Sequence, residues 1–295
     1  MLSPGGEVSE DSKLARMAID SLAAYPAFVK ELQEVSGIQI DYQRCGAMER
    51  AFTEQEADAL KQRAEHQAAI GIQSEPINKL DRFYPLNRFY PDDAIVDPRD
   101  VTAALRIACL RAGVKINEHE PVLNIDPATT SIQTTKSEYR DDAILIAAGA
   151  WSSKICPPGP PKSIPIRGHL IAFDNTGLHL DHILRHSHTY ILQRQRTGRI
   201  VAGSSTEHAG FDRTLDQTIA SDIHNRAAQL LPALELLQPA ETWIGFRPGL
   251  EPGSSAPIIG QIEGTSIWTA FGHYRNGILL APETARIITA SVIGR

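Results

Sequence analysis

Cysteine is scarce in this chain. Its three examples, Cys45, Cys109 and Cys156, are odd in number, widely spaced and include no C-x-x-C pair. That excludes a disulfide framework, argues against a zinc site, and points to free thiols in a reducing cytoplasm. An excess of positive charge is also missing. The formal net charge is −6, which leaves no electrostatic footprint for nucleic acid. No run approaches the roughly 18 apolar residues that would span a membrane. Met1 to Glu7 lack the basic-then-apolar order of a signal peptide. There is no internal repeat, no low-complexity tract, and no G-x-S-x-G elbow to suggest a hydrolase.

What is present is an ordinary globular composition, 42% hydrophobic and 22% charged over 295 residues, enough for one large core or two packed domains. Leu14, Met17, Ala18, Ser21, Leu22, Tyr25, Phe28 and Leu32 recur at helical spacing. They predict a helix from Asp11 or Ser12 to about Glu34, closed by Gly37, with Pro26 a potential kink. Ile38 to Ala51 alternates like a strand bent at Gly46. Thr53-Glu54-Gln55-Glu56 is a capping-box pattern for a helix ending near Gly71. Phe83 to Pro91 reads as loop and edge strand. Asp97-Pro98 opens a helix whose buried face is expected to carry Leu105, Ala108 and Cys109. After Gly113, Val114-Lys115-Ile116 is expected to begin a strand, and 122–139 reads as a polar two-stranded excursion. Ala143 to Ala147 is wholly apolar and predicts a strand covered on both faces, as in a parallel sheet. Small residues follow it in Ala148-Gly149-Ala150-Trp151, where such sheets bind nucleotides.

The composition changes at the Pro/Gly-rich stretch 157–165, and strands dominate beyond it. Ile164 to Phe173 is one. Thr189 to Gln193 and Arg199 to Ser205 form a hairpin turning at Thr197-Gly198. A helix from about Asp216 to Leu231, strands near Thr242 to Phe246 and Ile267 to Phe271, and a helix from about Asn276 complete the order. The fold class is α/β, mixed with an antiparallel portion. A discontinuous domain is expected over 1–37, 92–162 and 246–295, with the inserted substrate domain over 38–91 and 163–245.

Trp243 to Pro282 carries the chemistry. It places Arg247 at a strand end, then Pro257-Ile258-Ile259-Gly260. A glycine-flanked turn, Gly272-His273-Tyr274-Arg275-Asn276-Gly277, then opens into a helix. A helix start offers unpaired N–H groups and partial positive charge, which suits an anionic ligand. The spacing alone also suits a plain strand-turn-helix with surface arginines. His179, His182, His186 and His188 cluster in a region read as loop running into strand, without the helix and carboxylates of a metal site. No metal is expected. His188 precedes Tyr190 by two residues and so shares its strand face.

This segment resembles the C-terminal signature of the FAD-dependent D-amino-acid oxidase superfamily, most closely its glycine-oxidase branch, associated with the thiamine pathway. There, G-[LF]-R-P-G is followed by P-x-I-G and G-H-[YF]-R-N-G-I-L-L-A-P. Ala148-Gly149-Ala150-Trp151-Ser152 is similar to the family's turn beside the flavin, and Pro165-Ile166-Arg167-Gly168-His169 to its P-[VI]-R-G-Q strand. Tyr190 falls where the family carries an active-site tyrosine. The resemblance implies a two-domain flavoprotein in which Arg247 holds a substrate carboxylate, while Tyr190 and His188 border the pocket and Arg275 lies near substrate and flavin. Ala148, Gly149, Trp151, Gly272, His273, Tyr274, Arg275, Asn276, Gly277 and Ile278 would contact FAD. His273 itself is expected to be structural rather than a proton carrier. The implied substrates are glycine or a small amino acid and oxygen, the product hydrogen peroxide, and the assembly a homo-oligomer. Two other readings stay open: a sarcosine-type or D-amino-acid dehydrogenase with another electron acceptor, and a non-catalytic fragment.

Family members open with a strand, a G-x-G-x-x-G turn and a helix that cradle the FAD pyrophosphate. The sequence contains no such turn, and Met1-Leu2-Ser3-Pro4 resembles the G-M-L-[AS]-P element that normally comes after it. The expectation is either a chain whose first βαβ unit is encoded upstream or a shortened one that holds FAD poorly. Either way, the neighbours of that unit should show an unpaired strand edge and an exposed apolar face.

Overall fold

A computed structural model describes residues 1–77, 87–174, 176–254 and 256–294. In chain order the regular elements are α1 (Pro4–Glu7), α2 (Lys13–Ser36), β1 (Tyr42–Gln43), β2 (Ala47–Glu49), α3 (Glu54–Ala69), β3 (Glu75–Ile77), β4 (Asn87–Tyr90), β5 (Ile95–Val96) and α4 (Pro98–Arg111). There follow β6 (Val122–Asp126), β7 (Ser131–Thr134), β8 (Glu138–Arg140), β9 (Ile144–Ile146), β10 (Ser163–Phe173), β11 (Ile183–His186), β12 (Thr189–Gln193) and β13 (Ile200–Gly203). The chain ends with α5 (Gln217–Leu230), β14 (Glu241–Leu250), β15 (Ile258–Gln261), β16 (Ile267–Phe271) and α6 (Gly277–Ile293).

The helix limits follow local chemistry. Ser12 Oγ accepts from the Ala15 amide at 3.1 Å to start α2, which runs through Pro26 and stops at Gly37, whose φ of 74° suits glycine. Thr53 and Glu56 satisfy each other's amides at 3.2 and 3.3 Å, a reciprocal cap worth about 1 kcal/mol. Asp97 caps α4 ahead of Pro98.

The largest sheet has eight strands in the order β14-β10-β13-β12-β11-β2-β4-β3, antiparallel throughout except β11 beside β2. One face is covered by α5, whose Ile223, Ala227 and Leu230 meet Ile171, Phe173, Ile191 and Ile200. Burying each such aliphatic side chain contributes about 1.5–3 kcal/mol. Ala172, Leu192 and Val201 alternate onto the other face, toward Val8, Ala15 and Tyr90. α2 packs on α4 and α6 through Met17, Tyr25, Val29 and Leu32. A second sheet runs β15-β16-β9, with β16 and β9 parallel, and a third runs β6-β7-β8. The site lies where β10 and β14 approach the start of α6.

Several expectations are corrected. Residues 114–116 form no strand; Val114 and Ile116 are 50% and 39% exposed, with no neighbouring ladder to pair with among the described residues. α4 buries Val101 and Ala104 with the expected Ala108 packed against the same cluster, Cys109 is half-buried, and Leu105 is exposed rather than covered. Residues 122–139 begin a three-stranded meander, because the Thr134 side chain bonds Ser137 and closes a second turn. Ile38 to Ala51 holds two short strands around Gly46, whose φ is 69°. β9 buries Ile144 and Ile146 but leaves Leu145 47% exposed, and β16 is its only strand partner among the described residues. Of the Phe83 to Pro91 segment, residues 83–86 lie outside the described set. β4 is paired on both sides, by β2 and β3, so it is not the edge.

Candidate active site

Arg247 stands on β14 opposite Ile166 of β10, two positions from the pair Gly168–Gly245. Its guanidinium packs on the bare backbone of Gly168, where a Cβ would come within 2.3 Å of Nη1. Nη1 donates to the Ser205 carbonyl at 2.9 Å, and among the described residues Arg247 forms no ion pair. Burial, then the like charge of Arg275, lowers its pKa. A half-buried cation with no carboxylate partner among the described residues is poised for an anionic ligand.

Tyr190 on β12 lies opposite Gly203 of β13, with its ring over that glycine. Burial raises its pKa, although Arg247, Arg275 and Arg194 pull the other way, and its hydroxyl has no hydrogen-bond partner among the described residues. Arg275 sits in the 3₁₀ turn Tyr274–Asn276, its Nε 3.3 Å from Glu7 Oε1. Tyr190, Arg247, Arg275, Asn276, Ile278 and Glu7 all line one cavity of about 510 Å³.

A second cavity of about 460 Å³ shares Glu7 and Asn276 with the first, and adds Gly272, His273, Tyr274, Thr206 and apolar walls from Ile164, Ile166 and Leu250. Gly272 has φ of 81°, and a Cβ there would stand 2.7 Å from Leu250. At Gly249 a Cβ would meet Ile166 at the same distance. No side chain caps the first amides of α6, which therefore remain available to a negatively charged edge. Glycine-thinned, apolar walls beside an uncapped helix start fit the flat ring system of a flavin. His273 Nε2 lies 3.0 Å from Thr284 Oγ1, and burial lowers its pKa to about 4. At neutral pH it is uncharged, which fits a structural part.

The remaining sequence candidates lie elsewhere. Ala148, Gly149 and Trp151 belong to the turn after β9, packed against β10 and β14, and line neither cavity. The Trp151 ring stacks on Phe211 at 4.9 Å. His188 is exposed in the tight turn between β11 and β12, with Ser187 at φ of 52°, and lines neither cavity. The turn removes it from the strand alternation that would have placed it beside Tyr190. Gly277 lies in the first turn of α6, between the lining residues Asn276 and Ile278. His179, His182 and His186 bond separately to Asp181, the Cys45 carbonyl and Glu56.

Sequence reasoning did not single out Glu7, nor the network of Arg167, His169, Ser205 and Glu207. Glu207 Oε1 accepts from Ser205 and lies 2.7 Å from His169 Nδ1, while Arg167 Nη2 lies 2.7 Å from Oε2. Burial opposes ionisation of Glu207, but these three donors outweigh it and hold the carboxyl below its usual range. The one available signal was the Arg-Gly-His alternation on β10, which sends two polar side chains to one face and a glycine to the other.

A half-buried arginine with no carboxylate partner among the described residues, lining one cavity with Tyr190 and set beside a second cavity suited to a flavin ring, fits an FAD-dependent oxidoreductase of the kind that oxidises amino acids. The chain belongs to the DAO family of FAD dependent oxidoreductases, which it matches over residues 1–291. Within that family it is of the glycine oxidase type. It is 29% identical over 306 residues to glycine oxidase of Bacillus subtilis, covering 100% of this chain and 82% of that protein. It is 30% identical over 307 residues to glycine oxidase of Geobacillus kaustophilus, covering 98% and 80%. The crystal structure of the Geobacillus kaustophilus glycine oxidase superposes with a TM-score of 0.93 at 28% identity, covering 100% of this chain and 83% of that one. Among the described residues no helix is long and apolar enough to cross a membrane.

Proposed function

We propose that this chain, with FAD, oxidises the C–N bond of glycine or a small amino acid to the imine, and that oxygen is the final acceptor. The imine takes up water to give the 2-oxo acid and ammonia. Bound FAD supplies the two-electron acceptor, and its reoxidation by oxygen releases hydrogen peroxide. Arg247 holds the substrate carboxylate in a two-pronged ion pair, which orients the α-carbon. Tyr190 donates its hydroxyl within the same pocket. The uncapped amides around Gly277 and Ile278 stabilise negative charge at the ring edge, by the same preorganised electrostatics as an oxyanion hole. A neutral amine needs no strong base, and His273, with its pKa lowered to about 4, is too weak a base to supply one. The same reading assigns 1–37, 92–162 and 246–295 to the FAD-binding part and 38–91 with 163–245 to the substrate part.

The observation that carries this is Arg247, half-buried against Gly168 without a carboxylate partner among the described residues. The test is peroxide formation by the FAD-loaded protein with glycine, sarcosine and D-alanine. Peroxide with any of them supports the oxidase reading. Flavin reduction by these amines without peroxide would replace it with a dehydrogenase. No flavin reduction by any of them would sink both.

A further inference from the structure

β10 presents two faces to the site. Gly168 supplies the shelf under the Arg247 guanidinium. Arg167 and His169, one residue to either side, project from the opposite face and grip the segment 205–216. Arg167 exchanges backbone hydrogen bonds with Glu207 at 2.9 and 3.0 Å. Its side chain reaches Glu207 and Asp212, each at 2.8 Å by one nitrogen. The His169 amide donates to Ser205 Oγ at 2.8 Å, and its Nε2 accepts from the Asp216 amide at 3.0 Å. That second bond leaves the ring proton on Nδ1, so His169 donates to Glu207 Oε1. Ser205 Oγ donates to the same oxygen. Ser205 is therefore held by its side chain at Glu207 and His169, and among the described residues its carbonyl is the single acceptor bonded to Arg247.

We infer that Glu207 is a positioning residue: by holding Ser205 against the Arg167–His169 pair, it sets the direction in which Arg247 presents its guanidinium to a carboxylate. This rests on the reading of Arg247 as the carboxylate anchor. A guanidinium seated on a glycine has no side-chain wall to fix it on that face. Its aim is decided by the carbonyl it bonds, and that carbonyl moves with Ser205. Small displacements of an orienting partner are felt strongly at a bidentate ion pair.

The test uses the FAD-loaded protein and acetate as the bare carboxylate, titrated calorimetrically, beside steady-state kinetics. Glu207→Ala is expected to weaken acetate binding tenfold or more and to raise KM by a similar factor. kcat should stay within threefold and flavin content unchanged. Glu207→Gln keeps Oε1 as the acceptor for Ser205 and His169 but turns an amide NH2 toward the Arg167 nitrogens that Oε2 now accepts from, so it should bind acetate between the parent and the alanine. Placed on Arg247→Ala, Glu207→Ala should add nothing. Unchanged acetate affinity in Glu207→Ala, or a further loss on Arg247→Ala, would each overturn the inference. If Glu207→Ala does not fold, Ser205→Ala cuts the same tether while keeping the carbonyl, and it must weaken acetate several-fold or the inference falls. Should Arg247→Ala itself bind acetate normally, the anchor reading fails; a weakened Arg247→Ala beside a normal Glu207→Ala defeats the positioning alone.

Discussion

Two arginines on the same sheet, Arg185 buried and Arg247 half-buried, have opposite surroundings. Arg185 of β11 is met by Glu49 Oε2 at 2.7 Å and Asp93 Oδ2 at 2.5 Å, with the Tyr90 ring 4.4 Å from its Cζ. Burial works against its charge, yet Asp93 and Glu49 outweigh that and raise its pKa. Arg247 of β14 has a glycine beneath it and one carbonyl to bond, and its pKa is lowered by burial and by Arg275. The first charge is neutralised within the fold and serves architecture. On the function proposed above, the second is left for a ligand to neutralise, and its partial burial strengthens its hold on an anion.

The largest effect that would sharpen this contrast is on stability. Arg185→Ala leaves Asp93 buried without its ion-pair partner, while Glu49 keeps Arg63, and should cost about 3–5 kcal/mol in denaturant unfolding, with acetate affinity of the folded fraction unchanged. A loss of acetate binding there, with the protein folded, would break the comparison. Arg247→Ala should reduce kcat/KM at least 100-fold, about 2.7 kcal/mol, with flavin content near normal and no loss of stability. Loss of flavin would show that Arg247 serves the cofactor instead.

The next effect is on pH. The folded pKa of His273 is depressed from 6.5 to about 4, so the unfolded chain binds the extra proton between those values. Its contribution is complete above about pH 6.5 and is lost as pH falls toward 4, on the order of 2 kcal/mol after allowance for partial exposure. The melting temperature should drop across that window, and His273→Asn should flatten the drop. An unchanged slope in the variant would assign the pH dependence elsewhere. Smallest is Tyr190→Phe, which removes one unpartnered hydroxyl and should raise KM about 5- to 10-fold while leaving the fold intact.

How much of this was legible beforehand depended on distance along the chain. The limits of α2, α3 and α4 were readable because Ser12, Thr53 with Glu56, and Asp97 with Pro98 act within a few residues of themselves. The β12–β13 hairpin was readable from Thr197-Gly198 for the same reason. The exposed sides of Leu105 and Leu145 were not, because apolar periodicity names a face without naming what covers it. His188 was misplaced because a two-residue turn ends the alternation just before Tyr190. Glu207 was invisible because its partners Arg167 and His169 lie about 40 positions away.

The sequence by itself determined the class of this protein. Arg247, the Gly272–Asn276 turn and the helix that follows lie within the one segment from Trp243 to Pro282, and their chemistry depends on local backbone geometry. Only the tertiary structure decided which groups converge on that chemistry. Ser205 reaches Arg247 across 42 residues, and Glu7 reaches Arg275 across 268. The physical reason is that a charge's role is set by what neutralises it, and that is settled by packing between segments rather than by order along the chain.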